Sequence, residues 1–115
     1  MKIVNQSKNQ ILALNASLAL NPITRMIGLL GRKGLNDNEA LVLKPCNSVH
    51  TLFMRFQIDV LFVDRNSKVV EAISELKPWR LTYIYWRSYL AIELPCGIIK
   101  SSKTNPGDII SMSSL

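Results

Sequence analysis

Short apolar runs recur along the chain, and polar or turn-forming residues separate them. Residues 1–9 open with a short strand and turn polar, and Gln10–Leu14 alternates as a strand does. Asn21 followed by Pro22 marks a helix start, because Asn caps and Pro fits the first turn. Ile23, Met26, Ile27 and Leu30 then fall on one helical face, and Gly31 or Gly34 ends the helix. Strand signals take over at Glu39–Lys44 and Val49–Phe53. Asp59–Val63, the turn cluster Asp64–Ser67 and Lys68–Ile73 together predict a β-hairpin. Thr82–Trp86 and Tyr89–Leu94 predict two more strands. Gly97–Lys103 suits a short helical turn. Pro106, Gly107 and Asp108 form a turn before a last strand at Ile109–Met112. The pattern predicts a mainly β protein, α+β by strict count. Its architecture would be a compact antiparallel β-sandwich or barrel with one N-terminal helix.

Composition narrows the class. The chain has 115 residues, 48% of them apolar and 19% charged. It reads as a single domain, residues 1–115. A chain of this length buries roughly two-thirds of its unfolded surface and needs no staples. A mean hydropathy of +0.15 argues against disorder. The length excludes a two-domain cofactor enzyme. Net charge is +6. Residues 1–58 hold seven basic and two acidic residues, against seven and six in residues 59–115. A basic half attracts anionic partners: nucleic acid, a membrane surface or an acidic protein face. The two cysteines, Cys46 and Cys96, make no disulfide framework. The apolar stretch Ile11–Leu20 is broken by Asn15 and is too short for a membrane span. The expectation is a cytoplasmic protein with reduced thiols.

Four blocks of the sequence resemble the family known as domain of unknown function 192. The first is the helix carrying Arg25, Gly28, Leu29 and Arg32. The second is His50, Thr51, Phe53 and Met54, and the third Ile58, Asp59, Phe62 and Asp64. The last comprises Leu90, Glu93 and Gly97 with Gly107 and Asp108. The likeness spans about Leu12–Met112. It implies a small mostly β domain and marks Arg25, Gly28, Arg32, Met54 and Asp59 as structural motif positions. It implies no activity. Some relatives carry export sequences or lie near secretion or pilus-assembly genes, which hints at such assemblies. Cys46 and His50 stand where many relatives carry an aromatic and basic sequence.

Candidate chemistry is sparse. Cys46, His50 and Met54 are spaced four apart and are soft-ligand types. Residues four apart on a strand lie about 13 Å from one another, too far to share an ion. No metal and no cofactor are therefore expected. No Gly-rich phosphate loop, CxxC, HExxH or GxSxG motif is present. The enzymatic alternative is a thiol nucleophile at Cys46 activated by His50. Asp59 would orient the imidazole, and Arg25 or Arg32 would favour the thiolate. The bland alternative is a core Cys, a core Met, and an Asp59 that bonds backbone N–H groups.

The most informative segment is Lys77–Tyr89. All three tyrosines and both tryptophans lie within Trp79–Tyr89. A strand there would put Tyr83 and Tyr85 on one face and Trp86 on the other. Trp79, Arg80, Tyr83, Tyr85, Trp86 and Arg87 are the candidate ligand-binding residues, because rings beside guanidiniums can stack on a partner. At least two of the five rings should be exposed. The expected function is an accessory or binding domain with an aromatic–basic patch, its partner a protein or small polar ligand. The alternatives are a thiol-dependent module using Cys46 and His50, or a nucleic-acid binder. Asp59, Asp64, Glu71 and Glu75 interrupt the basic surface and disfavour nucleic acid.

Overall fold

Strands β5 (Ile58–Val63) and β7 (Leu90–Pro95) are buried at every position. Runs buried at every position, apolar but for Asp59 and Glu93, belong to strands covered on both faces. They form the centre of a five-stranded sheet in the computed structural model, which describes residues 1–20 and 34–114. The sheet order is β3 (Asn15–Ala19), β4 (Glu39–Leu43), β7, β5, β6 (Val69–Leu76). A second sheet of three strands runs β2 (Gln10–Ala13), β1 (Lys2–Asn5), β8 (Ile110–Ser113). One helix among the described residues, α1 (Ile98–Ser102), follows β7.

The sheet has two apolar layers. Leu61 and Val63 of β5, with Leu90, Ile92 and Leu94 of β7, join Ile3 and Leu12 of the three-stranded sheet. Ile58, Val60, Phe62 and Ala91 face the other way and meet Leu43, Val49 and Met54. The first layer is the filling of a sandwich. The second is covered in part by the loops at 44–56 and 77–89.

The mostly β sandwich-like architecture agrees with the sequence. The sheets do not close into a barrel. One pair departs from the antiparallel expectation: β3 runs parallel to β4, from Asn15↔Glu39 to Ala19↔Leu43. Strand β3 has a faint signal because its alanines face inward while Leu18 points to solvent. The expected helix with Arg25, Gly28 and Arg32 lies outside the described residues.

Two expected strands are not strands. Val49–Phe53 makes only an isolated bridge between His50 and Leu81. Phe53 has φ of 66°, which ends extended backbone. Thr82–Trp86 contributes no ladder either. The Thr82 hydroxyl, rather than a backbone carbonyl, accepts the Val49 N–H at 2.9 Å. Hydroxyls compete with the ladder in this way. Tyr83 and Tyr85 accordingly do not share an environment: Tyr83 is exposed and Tyr85 half-buried.

The hairpin follows the sequence closely. The Asp64 carboxylate accepts the N–H groups of Asn66 at 2.8 Å and Lys68 at 3.0 Å, closing the β5–β6 turn. Asp59, fully buried, binds three backbone N–H groups: Glu75 at 2.9 Å, Gly97 at 3.1 Å and Ile99 at 2.8 Å. It thereby caps α1 from a strand distant in sequence, where Gly97 at φ 102° offers no side chain.

A second polar clamp ties β1 to the turn before β8. Buried Asn5 donates to Thr104 Oγ1 at 2.9 Å and to Asp108 Oδ2 at 3.0 Å. Lys8 Nζ lies 2.8 Å from the same carboxylate. Burial alone would raise the Asp108 pKa. Hydrogen bonds from Lys8, Asn5 and the Asn105 N–H, with the Lys8 charge, outweigh it and hold the carboxyl below its ordinary value.

A carboxyl depressed in the folded state stabilises at pH above its unfolded pKa of about 3.9, and that contribution disappears as pH falls through the lower folded value. Asp108→Asn should therefore be less stable than wild type at neutral pH. The two stabilities should converge in acid. Urea denaturation followed from pH 7 down to about pH 2 checks this, and equal stability at neutral pH would contradict it.

Candidate functional site

The loops over the second apolar layer zip together without forming a sheet. Cys46 N–H donates to Tyr89 O at 2.9 Å, and Tyr85 N–H to Asn47 O at 2.8 Å. Thr82 N–H donates to Val49 O at 3.0 Å, and Thr51 N–H to Arg80 O at 2.9 Å. Ser88 Oγ closes one end on the Cys46 carbonyl at 3.0 Å.

Thr51 is the hub of the other end. It is wholly buried. Its hydroxyl donates to Lys77 O at 2.6 Å and accepts the Arg80 N–H at 2.9 Å. Its carbonyl accepts the N–H groups of Trp79 at 2.9 Å and Met54 at 3.2 Å. One residue therefore fixes two turns. Each turn carries a bulky aromatic in left-handed backbone: Phe53 at φ 66° and Trp79 at φ 64°. That conformation costs about 1–2 kcal/mol per residue. The two rings meet at 4.7 Å between centroids, tilted by 59°, and both are exposed.

From this pair a shelf of exposed apolar side chains continues. Leu81, Tyr83 and Trp86 are 73%, 83% and 81% exposed, and Ile84 is exposed beside them. Arg80 and Arg87 are exposed as well. Tyr85 and Tyr89 root the segment instead. Tyr85 packs on buried Phe62 at 4.6 Å. Burial, with the nearby Glu71 carboxylate and Tyr83, pushes its phenol above the ordinary value. The Arg65 guanidinium lies 4.1 Å from the Tyr89 ring centre. Three of the five rings are thus open to solvent.

Segments 40–58 and 76–92 contain no carboxylate, while they carry Lys44, Arg55, Lys77, Arg80 and Arg87. The segments that carry the shelf are therefore cationic and apolar, with Glu71 of β6 the carboxylate near Tyr85. Sequence pattern singled out Trp79–Trp86 but missed Phe53 and Thr51 as parts of the same arrangement. The His50–Thr51 block offered a signal for Thr51. Nothing in one sequence announces a left-handed Phe.

The other candidates are placed differently. Met54 is a core side chain. Asp59 has its oxygens on backbone N–H groups at the opposite layer, as a structural clamp. Cys46 and Cys96 are not joined in a disulfide. Cys46 Sγ donates to Ser48 O at 3.1 Å, and His50 Nδ1 accepts the Leu52 N–H at 3.3 Å. Cys46 lines a cleft of about 200 Å³ with Pro45, Asn47 and Ser88. Cys96 is exposed, and partial desolvation, with Asp59 and Glu75, pushes its thiol up despite Lys100. Among the described residues, no three His, Cys, Asp or Glu groups gather as a metal site.

A model of the DUF192 family, described as uncharacterized ACR, matches residues 3–112. The chain belongs to that family. A UPF0127 protein of Pyrococcus horikoshii is 38% identical over 114 residues, covering 94% of this chain and 96% of that protein. A UPF0127 protein of Pyrococcus furiosus is 35% identical over 109 residues, covering 92% and 93%. A solved structure of a protein of unknown function from Novosphingobium aromaticivorans superposes with a TM-score of 0.81 at 17% identity. It covers 96% of this chain and 82% of that one, and at this identity it shows a shared fold alone.

In this DUF192 chain, Thr51 should matter more than its size suggests. Thr51→Val keeps the shape but leaves the Lys77 carbonyl and the Arg80 N–H without that hydroxyl. The expected loss is about 1–3 kcal/mol in urea denaturation, with Thr51→Ser close to wild type. A Thr51→Val protein as stable as wild type would remove the hub role.

Proposed function

We propose that this chain is a non-enzymatic binding domain whose contact surface is the aromatic–cationic shelf. The observation that carries the reading is the Phe53–Trp79 pair. Two large rings are held in costly left-handed backbone and left exposed, so the fold spends stability on presenting them. Exposed apolar patches of this kind mark interaction surfaces. The cations around the shelf select a partner with negative charge. Cysteines without a disulfide suit a reducing compartment, and the reading puts the domain in the cytoplasm. No described helix is long and apolar enough to cross a membrane.

Both tryptophans of the chain, Trp79 and Trp86, lie on the shelf, so intrinsic fluorescence reports on it directly. Titration with three anionic probes tests the reading: an oligo-glutamate peptide, an oligothymidylate and anionic phospholipid vesicles. At least one should perturb the emission, and added salt should weaken the effect. Tyr83→Ser with Trp86→Ser should abolish binding, read for this variant by cosedimentation or anisotropy of the labelled probe, with a change in Tm of no more than a few degrees. If no probe perturbs either tryptophan, the binding reading falls.

A second reading uses the Cys46 cleft. A thiol lining a cleft in the same loop as the sole histidine supports a thiol-dependent module. Under that reading Cys46 alkylates faster than Cys96, and His50→Ala slows it at least ten-fold while leaving Cys96 unchanged, a measurement made by mass spectrometry. Equal rates in both proteins would exclude it.

A further inference from the structure

The segment Leu81–Arg87 carries its large side chains on the outside of the zipped loops. Ser88 N–H donates to Tyr85 O at 2.8 Å and closes a turn whose central residues, Trp86 and Arg87, are both exposed. Tyr83 and Ile84, just before it, are exposed as well. Tyr85 reaches back onto Phe62, and its N–H donates to Asn47 O at 2.8 Å, which holds the turn against the 44–56 loop.

The chemistry of this segment is that of an interface between water and hydrocarbon. Trp and Tyr combine an apolar ring with one polar atom and favour the headgroup level of a bilayer. Leu81 and Ile84 add purely apolar surface. Lys77, Arg80 and Arg87 are interleaved with these side chains along the segment, which itself carries no carboxylate; Glu71 of β6 lies near the inward-facing Tyr85. A folded protein partner would have to supply a pocket shaped to each of these exposed side chains. A fluid lipid surface accepts them without a matching shape.

We infer that the shelf docks on an anionic phospholipid surface, with Tyr83, Ile84 and Trp86 entering the headgroup layer and Arg80 and Arg87 meeting lipid phosphates. This rests on the shelf being the binding surface. It needs no membrane-spanning element, because the contact is peripheral. The anionic inner leaflet of a cell supplies the surface.

The test uses the full chain with vesicles of phosphatidylglycerol and phosphatidylcholine, against vesicles of phosphatidylcholine alone. The mixed vesicles should pull the protein down in sedimentation and shift tryptophan emission to the blue, and added salt should reverse both. Arg80→Gln and Arg87→Gln should each weaken binding about five-fold. Trp86→Ser should abolish sedimentation and Tyr83→Phe should preserve it. All four side chains are exposed, so a thermal melt matching wild type confirms that each variant is folded. Absent sedimentation with mixed vesicles overturns the lipid assignment, as does binding that survives Trp86→Ser. If the oligo-glutamate peptide or the oligothymidylate alone shifts the emission, the lipid assignment is overturned while the shelf remains a binding surface. If no probe shifts it, both fall.

Discussion

A sheet with two apolar faces has to be covered twice. The central strands β5 and β7 are buried along their full length, so the middle of the five-stranded sheet is shut off from water on both faces. The three-stranded sheet covers one face, and its register with β8 returns the chain's last strand beside its first. The other face receives irregular loops. Because they lie on an apolar layer, their backbone polar groups must find partners among themselves. The zipped contacts from Cys46–Tyr89 to Thr51–Arg80 meet that requirement.

Buried polar side chains fix the joints where regular structure stops. Asp59 supplies acceptors to a strand residue and to the first turn of α1, joining β5, β6 and the helix. Asn5 and Asp108 join β1 to the turn before β8. Thr51 repeats the principle over the second layer with an uncharged hydroxyl. Asp59 and Thr51 each satisfy several backbone groups, while Asn5 and Asp108 bond one another and one backbone N–H each, groups that burial makes expensive to leave unpaired.

Those joints also separate what the sequence revealed from what it did not. The β5–β6 hairpin was legible because an apolar run meets Asp64 and a turn cluster, and both signals are local. The strands β4, β7 and β8 were legible for similar reasons. Strand β3 was not, since its inward residues are alanines and its parallel partner lies far away in sequence. The 49–53 and 82–86 segments carry β-branched and aromatic residues, so local propensity pointed to strands. Tertiary contacts decided otherwise: the hydroxyls of Thr51 and Thr82 take bonds that a neighbouring strand would have made. For the candidate site, clustering of rings and cations in Trp79–Tyr89 was visible. The contribution of Phe53 was not, because it depends on a contact across 26 residues and on a left-handed φ.

The arrangement of rings shows how one segment can serve both folding and contact. Tyr85 and Tyr89 are fixed by Phe62 and by Arg65, and they bind the loop to the protein. Tyr83 and Trp86 are carried outward by the same loop and add little to its stability. At the base, the Thr51 hub holds Phe53 and Trp79 in backbone that neither residue prefers. Relaxing either φ would break the Trp79 or Met54 N–H bond to Thr51, so the strain persists in the absence of any partner. A partner then meets a surface whose ordering cost has already been met during folding, which raises affinity without further contacts. The exposed rings need a rigid base to act in this way, and the second apolar layer of the sheet provides it.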